Sequence, residues 1–450
     1  MNEPKPEEHA AKAAIGGGVS VGPDQQPTTN NQERGTSPTC SDQQPTTNNQ
    51  QLRPDRPLSG IRVLDLSRML TGDYAGMLLG DMGADVIKIE EVDGGDPLRK
   101  MPPHFVCGES AYFLSINRNK RSVTLNLKHA EGRKVFHELV RHADVVFDNF
   151  RPGILEKLGA DWKTLSQLNP RIVCCTISSF GEVGPYRELP AFDLTIQALA
   201  GAMSVTGEPG RVPVRLGIPM GDLAGSMFAV YSISAALVER QRTGTGRRIE
   251  VALLDCLISM LNYMAQYYFT GGQISGPIGS GHMSVVPYGA FATRDQPITV
   301  AIFVEKFWKS LCEVVGLPEI ADDPRFVNSA ARLTNRDECN RLLQEKFLQK
   351  TQAEWIKALW EKEIPSAPIL SIDQVFEDPQ VLAREMVVNV EHPRCGTLKM
   401  IGDPVKLTPK PAPGISPPPL LGQHTAEVLH GLLGYDDARI AELKAKGVVS

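Results

Sequence analysis

No Cys-x-x-Cys pair and no histidine cluster at metal-ligand spacing occurs in this chain, so neither a zinc site nor a dithiol redox centre is written into it. Its eight cysteines, at 40, 107, 174, 175, 256, 312, 339 and 395, are scattered and read as reduced, mostly buried thiols. A Gly-x-x-x-x-Gly-Lys phosphate cradle is missing too. The segment after the first expected strand, Leu66-Ser-Arg-Met-Leu-Thr-Gly-Asp73, holds one glycine where the dinucleotide fingerprint needs three, which excludes a nicotinamide enzyme of that type. Positive charge is not in excess. With a formal net charge of −5 the chain has no overall attraction for nucleic acid or acidic membranes, so an anionic ligand must be held by a local patch. The longest apolar stretch, Leu253 to Phe269, is interrupted by Asp255, Asn262 and Gln266 and reads as a packed helix rather than a membrane span. The acidic start, Met1-Asn-Glu-Pro-Lys-Pro-Glu-Glu8, has neither a secretory apolar core nor an Arg-rich presequence pattern, so a cytoplasmic location is expected.

What is present is ordinary globular composition over 450 residues, 42% hydrophobic and 22% charged, enough for two or more cores. Residues 1–55 are the exception. They are rich in Gln, Asn, Pro and Gly, and Asp24–Gln32 recurs as Asp42–Gln50; such a segment buries too little apolar surface to offset its ordering entropy, so a disordered tail is expected. From Gly60 onward short apolar strands alternate with helical periods: Arg62–Leu66, a helix over Tyr74–Met82, Asp85–Ile89, Arg121–Leu127, a helix over Ala130–His142, Asp144–Phe147, Arg171–Ile177 and Arg248–Ala252. That rhythm predicts an α/β fold with a mostly parallel sheet wrapped by helices. The glycine-rich run Gly271–Gly281 breaks it. Strand patterns at Tyr288–Ala292 and Ile298–Ile302 and helical patterns at 305–316, 337–350 and 353–363 then predict a smaller α+β middle domain, and the Pro-rich stretch 410–419 leads to a last helical segment.

The segment most informative about chemistry is Arg215-Leu-Gly-Ile-Pro-Met-Gly-Asp-Leu-Ala-Gly-Ser226. It puts Asp222 at the mouth of an apolar helical run, Leu223 to Arg242, where the helix dipole favours an ionised carboxylate. Gly221 and Gly225 remove bulk beside it, so a substrate carbonyl can approach. The bland alternative is that Asp222 is only a helix N-cap, as most such residues are. Elsewhere, Lys88, Arg118, Lys120, Arg121, Lys128, Arg151 and Lys157 fall near expected strand ends, where a phosphate-rich ligand of an open α/β sheet binds. Arg215 or Arg68 can grip a carboxylate, with Arg118 and Arg187 as further choices. The glycines around 271–281, with His282, fit a mobile flap or a plain linker.

The stretches Gly60–Leu66, Leu79–Glu90, Ser115–Ser122, Asp148–Gly153 and Pro419–Thr425 together resemble the family III CoA-transferases, the group that includes formyl-CoA and carnitine CoA-transferases, over about Leu58 to Val449. The resemblance implies a Rossmann-like large domain over 56–255, a linker helix and glycine flap over 256–285, a small domain over 286–390, and a segment over 391–450 returning to the large domain. It also implies an interlocked homodimer. In its pattern Asp222 is the nucleophile. Leu70, Thr71, Leu125, Asn126, Leu127, Lys128, Asn149, Phe150, Arg151, Lys157, Phe192 and Asp193 fall at coenzyme A contacts, and Gly279, Ser280, Gly281 and His282 at the substrate flap, beside Arg215. No metal or permanent cofactor is implied; a coenzyme A thioester and a small carboxylic acid are the substrates. The stretches Glu109–Ser115, Val286–Phe291, Pro417–Thr425 and Tyr435–Asp437 point within the group to succinyl-CoA as donor and a diacid such as glutarate as acceptor. Three positions depart from the pattern: Glu91 replaces a common arginine, Phe192 a tyrosine and Asp73 a proline. The same family contains α-methylacyl-CoA racemases, whose Gly-His-Asp segment is Ala191-Phe192-Asp193 here. Phenylalanine cannot shuttle a proton, which favours transfer over isomerisation.

Overall fold

The computed structural model describes residues 55–412 and 414–450. Nearly all of the tail expected over 1–55 lies outside these residues. In chain order the strands are β1 (Arg62–Asp65), β2 (Asp85–Glu90), β3 (Phe105–Val106), β4 (Glu109–Ser110), β5 (Lys120–Thr124), β6 (Val145–Asp148) and β7 (Val173–Ser178). There follow β8 (Arg247–Ala252), β9 (Tyr288–Phe291), β10 (Ile298–Ala301), β11 (Ser366–Pro368), β12 (Val387–His392) and β13 (Gly396–Ile401).

Six of them form one sheet in the order β5-β2-β1-β6-β7-β8, with every neighbouring pair parallel. Parallel strands need helical crossovers, which cover both faces, so successive strand residues must be apolar in both directions. The middle residues of the central strands obey this. Val63, Val86, Val145 and Phe147 point into one core with Ala75 and Leu79 of the helix Met69–Asp81 and with Ala224, Ala229 and Ile233 of the helix Met220–Thr243. Their neighbours Leu64, Ile87 and Val146 point into the other, against Phe136 and Leu139 of the helix Ala130–Arg141 and against Val428, Leu429, Ile440 and Leu443 of the last two helices. The C-terminal segment thus completes the second face. Among the described residues, Met220–Thr243 is the one helix long and apolar enough to cross a membrane by length and composition. In this fold its inner face is core, and Arg240 near its end pairs with Asp144 at 2.9 Å.

A separate apolar cluster, with Trp308, Phe326, Phe347 and Trp355, covers the antiparallel sheet β11-β10-β9. Two expected boundaries cut through single elements. The break at 255/256 falls inside the helix Leu253–Ser259, whose Leu253, Cys256 and Leu257 all pack into the first core. That at 390/391 falls inside β12, which is hydrogen-bonded to β13 along its whole length and cannot be divided from it. The stretch Leu253–Phe269 is also not one helix. The first piece ends at Ser259, and Asn262, at φ 49°, precedes a second that runs Tyr263–Gly271.

Candidate active site

In a parallel sheet of this order, ligands bind beyond the carboxyl ends of the strands where the winding direction reverses, here between β1 and β6. The two loops at that point are tied together, Arg68 N–H donating to Asn149 Oδ1 at 2.9 Å and Asn149 Nδ2 to the Arg68 carbonyl at 2.6 Å. The glycine in the first turn of the helix Met69–Asp81 has a steric task. A Cβ at Gly72 would lie 2.1 Å from the Ser67 side chain, so the helix Met69–Asp81 starts against the strand end only because residue 72 has none.

That helix carries Thr71 to Asp222. Thr71 Oγ1 donates to Asp222 Oδ1 at 2.6 Å, and among the described residues no hydrogen bond reaches Asp222 Oδ2. The helix begins at Met220, earlier than the expected Leu223, so Asp222 lies in its first turn and is not its cap. Capping falls to Asp193, whose Oδ1 accepts Gly221 N–H at 2.8 Å and Asp222 N–H at 3.4 Å. Gln197, one helical turn beyond Asp193, donates to its Oδ2 at 2.7 Å and accepts Leu216 N–H at 2.8 Å. Ser226, one turn beyond Asp222, donates to the Thr71 carbonyl at 2.6 Å and locks the two helices. Gln197 and Ser226 were not expected from sequence, although their i,i+4 spacing from Asp193 and Asp222 was there to be read.

Burial pushes Asp222 above the usual carboxylate range; the Thr71 hydroxyl pulls it down and the Asp193 charge pushes it up again. A half-buried, more basic carboxylate with one free oxygen at a helix N-terminus suits nucleophilic attack on a carbonyl. The glycines beside it act differently from expectation. A Cβ at Gly225 would lie 2.1 Å from Leu253 and one at Gly221 3.0 Å from Asp193, so both make room for the protein's own side chains.

The expected basic set divides. Lys88 and Lys120 are fully buried, bridging Asp73, Asp96 and Asp65 at 2.5 to 3.5 Å. Arg118 is closed against Asp81 at 2.6 Å and Arg121 against Asp85 at 2.6 Å. These four are structural cations because a charge without water needs a fixed partner, and Arg118 is thereby removed as a carboxylate grip. Lys128, Arg151 and Lys157 remain exposed. Lys128 Nζ reaches Glu91 at 3.3 Å, and Arg68 reaches the same carboxylate at 2.9 Å while lying over the Phe150 ring. Burial opposes ionisation of Glu91, but Arg68 and Lys128 hold it below its usual range. Leu125 and Leu127 pack in the second core, and Asn126 N–H donates to the Val448 carbonyl at 2.9 Å. Phe150 and Arg151 line a cavity of about 260 Å³ beside Asp148, Trp162, Lys163 and Arg248.

Phe192 is 75% exposed, and among the described residues Arg187 pairs with its neighbour Glu188. Arg215 is exposed and bonds its own Leu216 and Gly217 carbonyls. The flap segment is held elsewhere: Gly279 N–H donates to the Gly207 carbonyl at 2.8 Å, Ser280 Oγ accepts Ala290 N–H at 2.7 Å, and Arg336 donates to the His282 carbonyl at 2.8 Å. His282 stacks on Tyr263, with centroids 5.6 Å apart. Among the described residues, no hydrogen bond joins Gly279, Gly281 or His282 to Asp222.

The site thus presents a half-buried carboxylate in the first turn of a long helix packed against the parallel sheet. Residues 58–425 match CoA-transferase family III, and the chain belongs to that family. It is an enzyme, a CoA-transferase. Succinyl-CoA:glutarate CoA-transferase of Homo sapiens is 37% identical over 88% of this chain and 90% of its own. Succinate–glutarate CoA-transferase of Agrobacterium fabrum is 37% identical over 83% of this chain and 95% of its own. The crystal structure of a CAIB/BAIF family protein from Brucella suis superposes with a TM-score of 0.75 at 34% identity, covering 84% of this chain and 99% of that one.

Proposed function

We propose that this enzyme moves coenzyme A reversibly from succinyl-CoA to a dicarboxylate such as glutarate, with Asp222 as the covalent carrier. The observation that carries this reading is the Asp222 carboxylate itself: one oxygen fixed by Thr71, the other free, at the start of a 24-residue helix. The ionised carboxylate attacks the thioester carbonyl, giving a mixed anhydride and releasing CoA thiolate. The thiolate attacks the aspartyl carbonyl of that anhydride, which expels succinate and leaves an aspartyl-CoA thioester. The acceptor carboxylate then displaces CoA as thiolate, and the thiolate attacks the acyl carbon of the new anhydride, freeing Asp222. Such intermediates hydrolyse, so water must be excluded; the segment Gly279-Ser-Gly-His282 and a partner subunit are proposed to do so.

The donor and acceptor are supported by the substrates in the names of the human and Agrobacterium relatives. The nucleotide is proposed to lie over Leu70, Thr71, Leu125–Lys128, Asn149–Arg151, Lys157 and Phe192–Asp193. Arg215 and His282 are proposed for the acceptor. An interlocked homodimer is supported by apolar side chains left exposed, Tyr231 at 69% and Val238 at 67% on the long helix and Phe269 at 74%. An α-methylacyl-CoA racemase-type isomerase needs a base at 192, where Phe192 offers none, and Asp193 is engaged in capping.

The test is a transfer assay with succinyl-CoA against mono- and dicarboxylates. Glutarate and other diacids should accept CoA; failure of every diacid overturns the substrate reading. Solvent deuterium entering a 2-methylacyl-CoA would replace transfer with isomerisation.

A further inference from the structure

Cys107 and Cys395 are far apart in the chain and meet in the fold. Cys107 sits in the turn between β3 and β4 at φ 48°, partly exposed, and Cys395 sits in the turn of the β12–β13 hairpin, 2% exposed. The two turns are clamped face to face: Cys395 Sγ donates to the Val106 carbonyl at 3.2 Å, and Arg394 pairs with Glu109 at 2.8 Å. The Cys395 thiol thus bonds the carbonyl of the residue next to Cys107, which is also close enough to act on its ionisation. Among the other described cysteines, Cys174, Cys175, Cys256, Cys312 and Cys339 are all buried. This is the pair that combines contact with a route for a reagent.

We propose that Cys107 and Cys395 form a reversible disulfide that fastens the hairpin to the turn ahead of the helix Ala111–Ile116 when a small-molecule disulfide such as oxidised glutathione is present. The Cys107 thiolate, having lost its proton to solvent, attacks one sulfur of the small disulfide and expels one small thiolate. Cys395 then gives up its proton, attacks the Cys107 sulfur of the mixed disulfide and expels the second. The two protein thiols lose two electrons and two protons, and the small disulfide gains both to become two thiols. Burial pushes the Cys395 thiol up to about 12, so Cys107 reacts first and the resolving step quickens as pH rises.

The experiment treats the full chain with oxidised glutathione at several pH values, followed by intact mass and peptide mapping without reductant. The expected result is a protein lighter by two hydrogens with a 107–395 linked peptide, reversed by dithiothreitol and absent from Cys107→Ser and Cys395→Ser. Thermal unfolding of the oxidised wild type should move up by several degrees, because a cross-link between such distant positions constrains the unfolded chain. A stable glutathione adduct on Cys107 without the linked peptide overturns the proposal, as does linkage through any other cysteine. Because the wild-type protein decides both outcomes, a variant that fails to fold changes nothing.

Discussion

Two contacts tune the candidate nucleophile, and they pull in opposite directions. Thr71 stabilises the charged form of Asp222 by a 2.6 Å hydrogen bond, while Asp193 opposes it as a like charge. In the proposed mechanism only the ionised carboxylate attacks, so activity should be lost as pH falls through its pKa. Thr71→Val should therefore move the acid limb of the kcat profile to higher pH and Asp193→Asn to lower pH; shifts of the same sign would contradict the account. Glu91 offers a second residue-scale test. It occupies the Arg68 and Lys128 cations beside the switch point, in an exposed arrangement worth about 0.5 kcal/mol. Glu91→Gln should lower KM for acyl-CoA roughly two- to threefold and leave kcat unchanged, as expected when the freed cations serve nucleotide binding alone. The motif around Asp222 was legible in sequence because Gly-Asp before an apolar helix is a local pattern. Its partner Thr71 was legible only as a family position, since a contact between two helices so far apart in the chain leaves no local trace.

At the scale of elements, the long helix is started by a residue outside it. Asp193 caps it through Gly221, and Gln197 fixes Asp193. Asp193→Ala should lower the thermal midpoint by the loss of a cap, about 1 kcal/mol, and lower kcat as the first turn frays around Asp222. Asp193→Asn keeps the acceptor oxygen and should restore the midpoint; equal loss in both variants would show that capping is not the role. The strand and helix periods were readable because each strand feeds two cores in alternation. The buried cations were not. Lys88 and Lys120 at strand ends look in sequence like ligand-binding charges, and only the tertiary placement of Asp65, Asp73 and Asp96 converts them into a closed network. Asp73, standing where the family pattern has proline, is part of that network, and burial pushes it up to about 6.

For the whole molecule, the parallel sheet carries buried acids whose ionisation costs stability. Burial raises Asp148 to about 7 from an unfolded value near ~4. Between those values the native state holds a proton that the unfolded chain has released, so stability falls as pH rises across that window and levels off above it. Asp148→Asn keeps an acceptor for Phe150 N–H and should stabilise the protein at pH about 8 by a few kcal/mol, with the gain vanishing near pH ~4. Unchanged denaturation midpoints at the higher pH would contradict this. The parallel α/β sheet was anticipated by the alternation of strand and helix periods, whereas the strand order and the true ends of the hairpin and of the helix Leu253–Ser259 depend on pairing and packing that composition does not encode. The most direct measurement halts the enzyme during turnover with succinyl-CoA and treats it with hydroxylamine or borohydride before peptide mass spectrometry. The account predicts that residue 222 alone is converted, to the hydroxamate or the alcohol, and that Asp222→Ala binds CoA without transfer. An unmodified Asp222 while product accumulates would contradict it.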